Sequence, residues 1–125
     1  VTGWLSPVVE DPAFTFNTTT GILTIDVAGW YDITAYATLQ TTSGIGANAG
    51  QIKLQENTGA GYTDIPNTEV FAYAPANLGN TASCRVIRHF NATDTLKMQV
   101  DQTNGAGTLA VIGAGTGLTL VEVGT

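Results

Sequence analysis

Apolar and polar residues alternate along almost the whole chain, the period-two pattern of half-buried strands, and no segment carries a 3.6-residue helical period. Phe14 and Phe16 suggest a first short strand, and Asn17 to Gly21 reads as a turn. Leu23, Ile25 and Val27 alternate with Thr24 and Asp26 in a second strand, after which Ala28-Gly29 turns the chain. The pattern is clearest from Trp30 to Gln40, where Tyr31, Ile33, Ala35, Ala37 and Leu39 form one face and Asp32, Thr34, Thr38 and Gln40 the other. Trp30 and Tyr36 fall on the polar face. Two aromatics there mark a subunit contact, because aromatics are enriched in interfaces; the alternative is cover by one of the chain's own loops.

Residues 41–50 read as a small-residue loop, Ile52 and Leu54 as a fourth strand, and residues 57–67 as turns. Residues 69–73 look extended, and Pro75 to Gly79 breaks them. Thr81 to Phe90 predicts a strand with Cys84, Val86 and Phe90 inward; Arg88 shares that face and demands a partner carboxylate or a bulge. After a turn at Asn91 to Asp94, Leu96, Met98 and Val100 alternate again. A penultimate strand starts at Leu109, a Gly/Ala-rich hairpin region covers residues 104–117, and Leu118 to Val123 forms the last strand. Eight or nine short strands with turns between them predict an all-β, antiparallel sandwich or barrel. Residues 1–13, with Pro7 and Pro12 around Glu10-Asp11, read as an extended N-terminal arm, and residues 14–125 as the domain.

Length allows one domain at 125 residues. Charged residues are 11%, against about 25% in ordinary globular proteins. Threonine (21 residues) and glycine (15) fill the gap. A surface so poor in Lys and Glu suits a protein packed against partners, although hydroxyls and amides alone can also keep a β-rich domain in solution. With a net charge of −6 and only Lys53, Arg85, Arg88 and Lys97 basic, the chain lacks the cationic run that phosphates require, so no nucleic acid and no anionic membrane is expected as a partner. No window approaches the 18 or so apolar residues of a membrane span, and Val1 to Trp4 lacks the basic start of a signal peptide.

Candidate chemistry is sparse. Cys84 has no disulfide partner and reads as a buried thiol, and His89, the only imidazole, lies on the polar side of its strand. One Cys and one His cannot build a zinc cage. Asp94 and Asp101, and Asp26 with Asp32, leave open a calcium site assembled from loops, but none matches an EF-hand spacing. Residues 113–117, GAGTG, lack the Lys-Ser/Thr and the helix of a phosphate loop and read as a flexible hairpin. No enzyme activity, no metal and no cofactor is therefore expected.

Gly29-Trp30-Tyr31-Asp32-Ile33-Thr34-Ala35 resembles the G-x-Y-x-h-x-h segment of C1q/TNF-like jelly rolls. Asn91 to Val100 resembles that family's later turn and strand, with Asp94 matching its Asp and Thr93 standing where Gly is usual. Gly117 to Val123 is similar to the final strand, and Phe14-Thr15-Phe16-Asn17 to the opening one, so the resemblance spans about residues 14–123. It implies a jelly-roll sandwich that forms a homotrimer. The family includes bacteriophage structural domains, and the Thr/Gly-rich, Lys-poor composition is similar to theirs. The expectation is a trimeric capsid decoration (cement) protein on the virion surface, bound to the major capsid protein or another virion protein. Trp4, Leu5, Val8 and Val9 of the arm would grip the partner; the arm's other reading is a frayed terminus. Trp30 and Tyr36 would line the trimer contact. The alternative is a receptor- or carbohydrate-binding tip of a fibre, with an aromatic platform on loops drawn from Trp30, Tyr62 or Tyr73. A chain that starts almost directly with the domain favours the stand-alone decoration protein.

Overall fold

The computed structural model describes residues 13–17, 19–43, 48–74, 79–105 and 108–125. The arm residues Trp4, Leu5, Val8 and Val9 lie outside them. Nine strands run through the described residues: β1 (Phe14–Asn17), β2 (Ile22–Ile25), β3 (Gly29–Ser43), β4 (Asn48–Asn57), β5 (Tyr62–Asp64), β6 (Val70–Ala74), β7 (Gly79–Phe90), β8 (Thr95–Asn104) and β9 (Thr108–Gly124). They form two antiparallel sheets. One has the order β1-β2-β8-β4-β5, with β6 also on β4; the other has the order β7-β3-β9. Chain neighbours β3 and β4 lie in different sheets, as do β8 and β9, so the chain crosses between layers as it does in a jelly roll.

The alternation read in the sequence sets the core. Tyr31, Ile33, Ala35, Ala37 and Leu39 of β3 are fully buried and face Ile52 and Leu54 of β4 and Leu96 and Met98 of β8 across the layers. Tyr31 also packs edge-on to Phe90, with ring centroids 6.3 Å apart, and its hydroxyl donates to the Val27 carbonyl at 2.6 Å. A buried tyrosine thereby satisfies its polar end. Ala13 is buried as well, and its carbonyl accepts from the Asp26 and Val27 amides. Gly50 is required by close approach: a Cβ there would sit 2.6 Å from the Leu109 side chain and 2.9 Å from that of Leu39.

Three segments differ from the sequence reading. Residues 41–43 and 48–50 are strand rather than loop, because Thr41 and Ser43 pair with β9 and Asn48 to Gly50 pair with β6. Tyr62–Asp64 is a short strand inside the turn-rich stretch, paired to Gln55–Asn57. Residues 113–117 are not a hairpin: Thr108 to Gly124 is one strand, paired to β3 on both sides of a register shift between Tyr36 and Thr38. Where that ladder breaks, the Thr116 hydroxyl accepts from the Thr38 amide at 3.3 Å.

β5 and β6 lie along the same edge of β4, and Thr68 fills the gap between them. Its hydroxyl accepts from the Leu54 amide at 3.1 Å and donates to the Ile65 carbonyl at 2.8 Å, fully buried. Thr68→Val keeps the shape and removes both bonds. It is expected to cost about 1–3 kcal/mol of unfolding free energy, the penalty for unsatisfied buried groups, read by denaturant melts.

The turn before β8 accounts for two residues of the family resemblance. Asp94 is buried and its carboxylate accepts from the Asn91 amide at 2.8 Å. Thr93 has φ +78°, the left-handed region that favours glycine. Thr93→Gly is therefore expected to stabilise the fold by about 1 kcal/mol, and an unchanged or lowered melting temperature would refute that strain.

Candidate functional site

The β7-β3-β9 sheet has one face in the core and one in solvent. Even positions of β3 point outward, so Trp30, Asp32, Thr34, Tyr36, Thr38 and Gln40 share the outer face with odd positions of β7. Cross-strand pairing builds this face. His89 stands opposite Trp30, their rings edge-on with centroids 5.4 Å apart. Ile87 and Val121 flank Asp32 on either side, and Gly124 lies opposite Trp30 on β9. Trp30 is 46% exposed, Ile87 and Val121 55% and Val123 54%. These side chains make an apolar cluster at one end of an otherwise polar face. Exposed apolar groups concentrated in this way mark interaction surfaces.

Tyr36 lies at the middle of β3, 37% exposed and roughly 20 Å from Trp30 along the strand. Its phenol lies against the bare backbone of Gly117, where a Cβ would collide with the phenol oxygen. Sequence reasoning placed Trp30 and Tyr36 on this face but missed Ile87, Val121 and Val123. The signal was present: Leu118 and Leu120 pack against the core, so plain alternation sends Val121, which pairs with Asp32, to the outer face.

Between Trp30 and Tyr36, Arg85 grips Asp32, with Nε donating to Oδ1 at 2.9 Å and Nη2 to Oδ2. That hydrogen bonding, with the guanidinium charge behind it, holds the Asp32 carboxyl below its ordinary value of 3.8 and outweighs the small cost of burial. A lowered carboxyl pKa means that the pair stabilises the folded chain above the ordinary value and stops doing so as pH falls through the lowered one. In Arg85→Ala, the Asp32 titration is expected to move up, measured by carboxyl NMR; an unmoved titration would show that Arg85 does not set it.

Arg88, Cys84 and Asp26 are engaged structurally. Arg88, which needed an inward partner, reaches across the sandwich to Glu56 of β4, with its Nε 2.7 Å from Oε2 and its Nη2 on Oε1. Cys84 is buried, and burial pushes its thiol up, which makes it a poor nucleophile. His89 is exposed. Asp26 accepts from the Thr15 hydroxyl at 2.6 Å, and among the described residues no three His, Cys, Asp or Glu side chains converge as metal ligands would.

The suggested aromatic platform on loops is not what the structure holds. Trp30, Tyr62 and Tyr73 all lie on strands. Tyr62 is engaged, its hydroxyl bonded to that of Thr95 at 2.9 Å and the Lys97 ammonium 4.1 Å from its ring centre. Tyr73 and its neighbour Phe71 are exposed on β6.

No family model matches the sequence, and no curated protein does. Solved structures do match the fold. Murine APRIL at pH 8.5 superposes with a TM-score of 0.69 over 94% of this chain and 82% of that one, at 13% identity. Eiger TNF from S. frugiperda gives 0.66 over 88% and 68%, at 14% identity. Bushbaby GITRL gives 0.53 over 94% and 82%, at 17% identity. With two antiparallel sheets in the order found here, the chain has the C1q/TNF-like jelly-roll fold.

Proposed function

We propose that this protein is a structural accessory protein of a virion, a homotrimeric capsid decoration protein that binds and stabilises the head shell. The observation that carries the reading is the apolar cluster of Trp30, Ile87, Val121 and Val123 on the outer face of the three-stranded sheet. Four large apolar side chains gathered on one rigid face favour a permanent contact over solvent. A second copy is the partner implied by the resemblance to trimeric jelly rolls, and Tyr36 extends the same face. The charge-poor, hydroxyl-rich composition supports a life spent in an assembly. The mechanism is mechanical: the sheet face joins the subunits, and the arm with Trp4, Leu5, Val8 and Val9 grips the shell. Two prolines make that segment cheaper to order on binding.

Light scattering on a sizing column tests the first step. A mass near three times 12.9 kDa supports the trimer, and a monomer removes it. Deleting residues 1–12 tests the second. The truncated chain is expected to remain trimeric and to lose binding to capsids; a truncated trimer that still decorates them would overturn the arm's role.

A further inference from the structure

The opposite surface of the molecule, the outer face of the six-stranded sheet, has a different chemistry. Phe71 and Tyr73 alternate with part-buried residues on β6 and are 61% and 65% exposed. Two residues apart on one strand, they stand roughly 7 Å from each other on the same face. Gln51 of β4 lies opposite Phe71, and Asp101 of β8 lies opposite Gln51. Ala49 lies opposite Tyr73, so a small side chain leaves space beside the phenol. Next along the face come Lys53 and Gln99, also paired across β4 and β8. The Gln99 amide points to the Asp101 carboxylate at 3.4 Å, and Lys53 is neutralised by Asp64 at 3.2 Å.

We propose that Phe71, Tyr73, Gln51 and Asp101 form a binding site for a neutral oligosaccharide. A sugar ring offers a face of C–H groups and a rim of hydroxyls. The C–H face packs on the electron-rich face of an aromatic ring, and the hydroxyls need donors and acceptors set beside it. Here two rings stand next to one amide and one carboxylate, and the amide can both donate and accept. A protein interface is built otherwise, around a contiguous apolar centre. Among the described residues, the other large exposed apolar side chains (Val27, Trp30, Tyr36, Ile87, Val121 and Val123) belong to the other sheet or to its approach, so the two rings stand in a polar field. Charge selects the class of sugar. Asp101 at the site, the neutralised Lys53 and a net charge of −6 repel sulfated or sialylated chains.

β6 is pinned for this role. The Asn80 amide donates to the Tyr73 carbonyl at 2.7 Å, and Ala74 is buried in the core at the end of the strand. Rings on a fixed strand lose little freedom when a ligand arrives. The site is complete within one chain and does not rest on trimer formation.

The test is titration of ¹⁵N-labelled full-length protein with maltohexaose, cellohexaose, laminarihexaose, mannohexaose and chitohexaose, with a heparin hexasaccharide as the anionic comparison. At least one neutral sugar is expected to give saturable shifts centred on Phe71, Tyr73, Gln51 and Asp101. Tyr73→Ala and Phe71→Ala should each weaken binding about tenfold, with unchanged circular dichroism, and Tyr73→Phe should retain it. The site is overturned by saturation with none of these sugars, by shifts centred on the Trp30 face, by binding of heparin alone, or by undiminished binding in the alanine variants. A protein partner that engages the two rings while no sugar does so overturns it equally. The solution mass of the same samples separates this outcome from failure of the assembly reading.

Discussion

Chains carrying Ile87→Lys and Val121→Lys are expected to run as folded monomers, against the trimer proposed for the unmodified protein. Both positions flank Asp32, one on each neighbouring strand. Arg85 already holds both oxygens of that carboxylate, so the lysines gain no ion pair of their own within the chain and must rely on water. Each site is already about half exposed, and a long lysine stem keeps its ammonium in water. The fold should therefore survive, with a melting temperature set by the single chain. The assembly has no such escape. At the centre of a closed interface the ammonium groups would have to be desolvated, and burying a charge without a dedicated partner costs several kcal/mol. Central apolar side chains are also where binding energy concentrates, at roughly 2 kcal/mol or more each on truncation. In a cyclic trimer the loss recurs at every interface. The measurement is mass by light scattering together with a thermal melt. A double variant that still has three times the chain mass would place the subunit contact on another face and remove the observation on which the proposed function rests.

What could be read from the sequence follows from the range of the forces involved. β3 was legible because its alternation is local: Tyr31 to Leu39 bury one face whatever pairs with them. The same parity placed Trp30 and Tyr36 outside and Cys84 and Phe90 inside. The middle of β9 was not legible. Its Gly and Ala residues carry no amphipathic signal, and only the pairing with β3 across a register shift makes them a strand. The apolar cluster was half legible: alternation with Leu118 and Leu120 puts Val121 outside, but only the pairing of β3 with both β7 and β9 brings Ile87 and Val121 to either side of Asp32. Thr93 shows the converse. Its departure from the family pattern was visible in the sequence, and its positive φ gives that departure a physical cost. On β6, Tyr73 was named as an exposed aromatic, whereas Phe71 emerged only when both were seen to share a face with Gln51.

Arg88 is the residue whose role local pattern could least supply, and its substitution carries the largest expected effect on the fold. Parity put a guanidinium on the core side of β7, and the partner, Glu56, comes from the other sheet 32 residues away. The Glu56 side chain is 9% exposed and that of Arg88 35%, so the carboxylate is the member of the pair that water cannot reach. The bidentate bond to Glu56 raises the Arg88 pKa further, and the ion pair stays formed wherever Glu56 is ionised. Arg88→Met keeps the length of the side chain and strands that carboxylate. The expected loss is about 3 kcal/mol, the low end for a broken buried pair because Arg88 itself is partly in water. Glu56→Gln should cost less, since an amide tolerates burial better than a charge and Arg88 can turn toward solvent. The double variant Glu56→Leu, Arg88→Met removes the stranded charge and should recover most of the loss, because an apolar pair of similar volume replaces two desolvated ions. Urea melts of the single and double variants form a complete cycle, and the coupling between the two positions is expected to be strongly non-additive. Additive effects would mean that the two side chains do not depend on each other, and that the sandwich is held at this end by apolar packing alone.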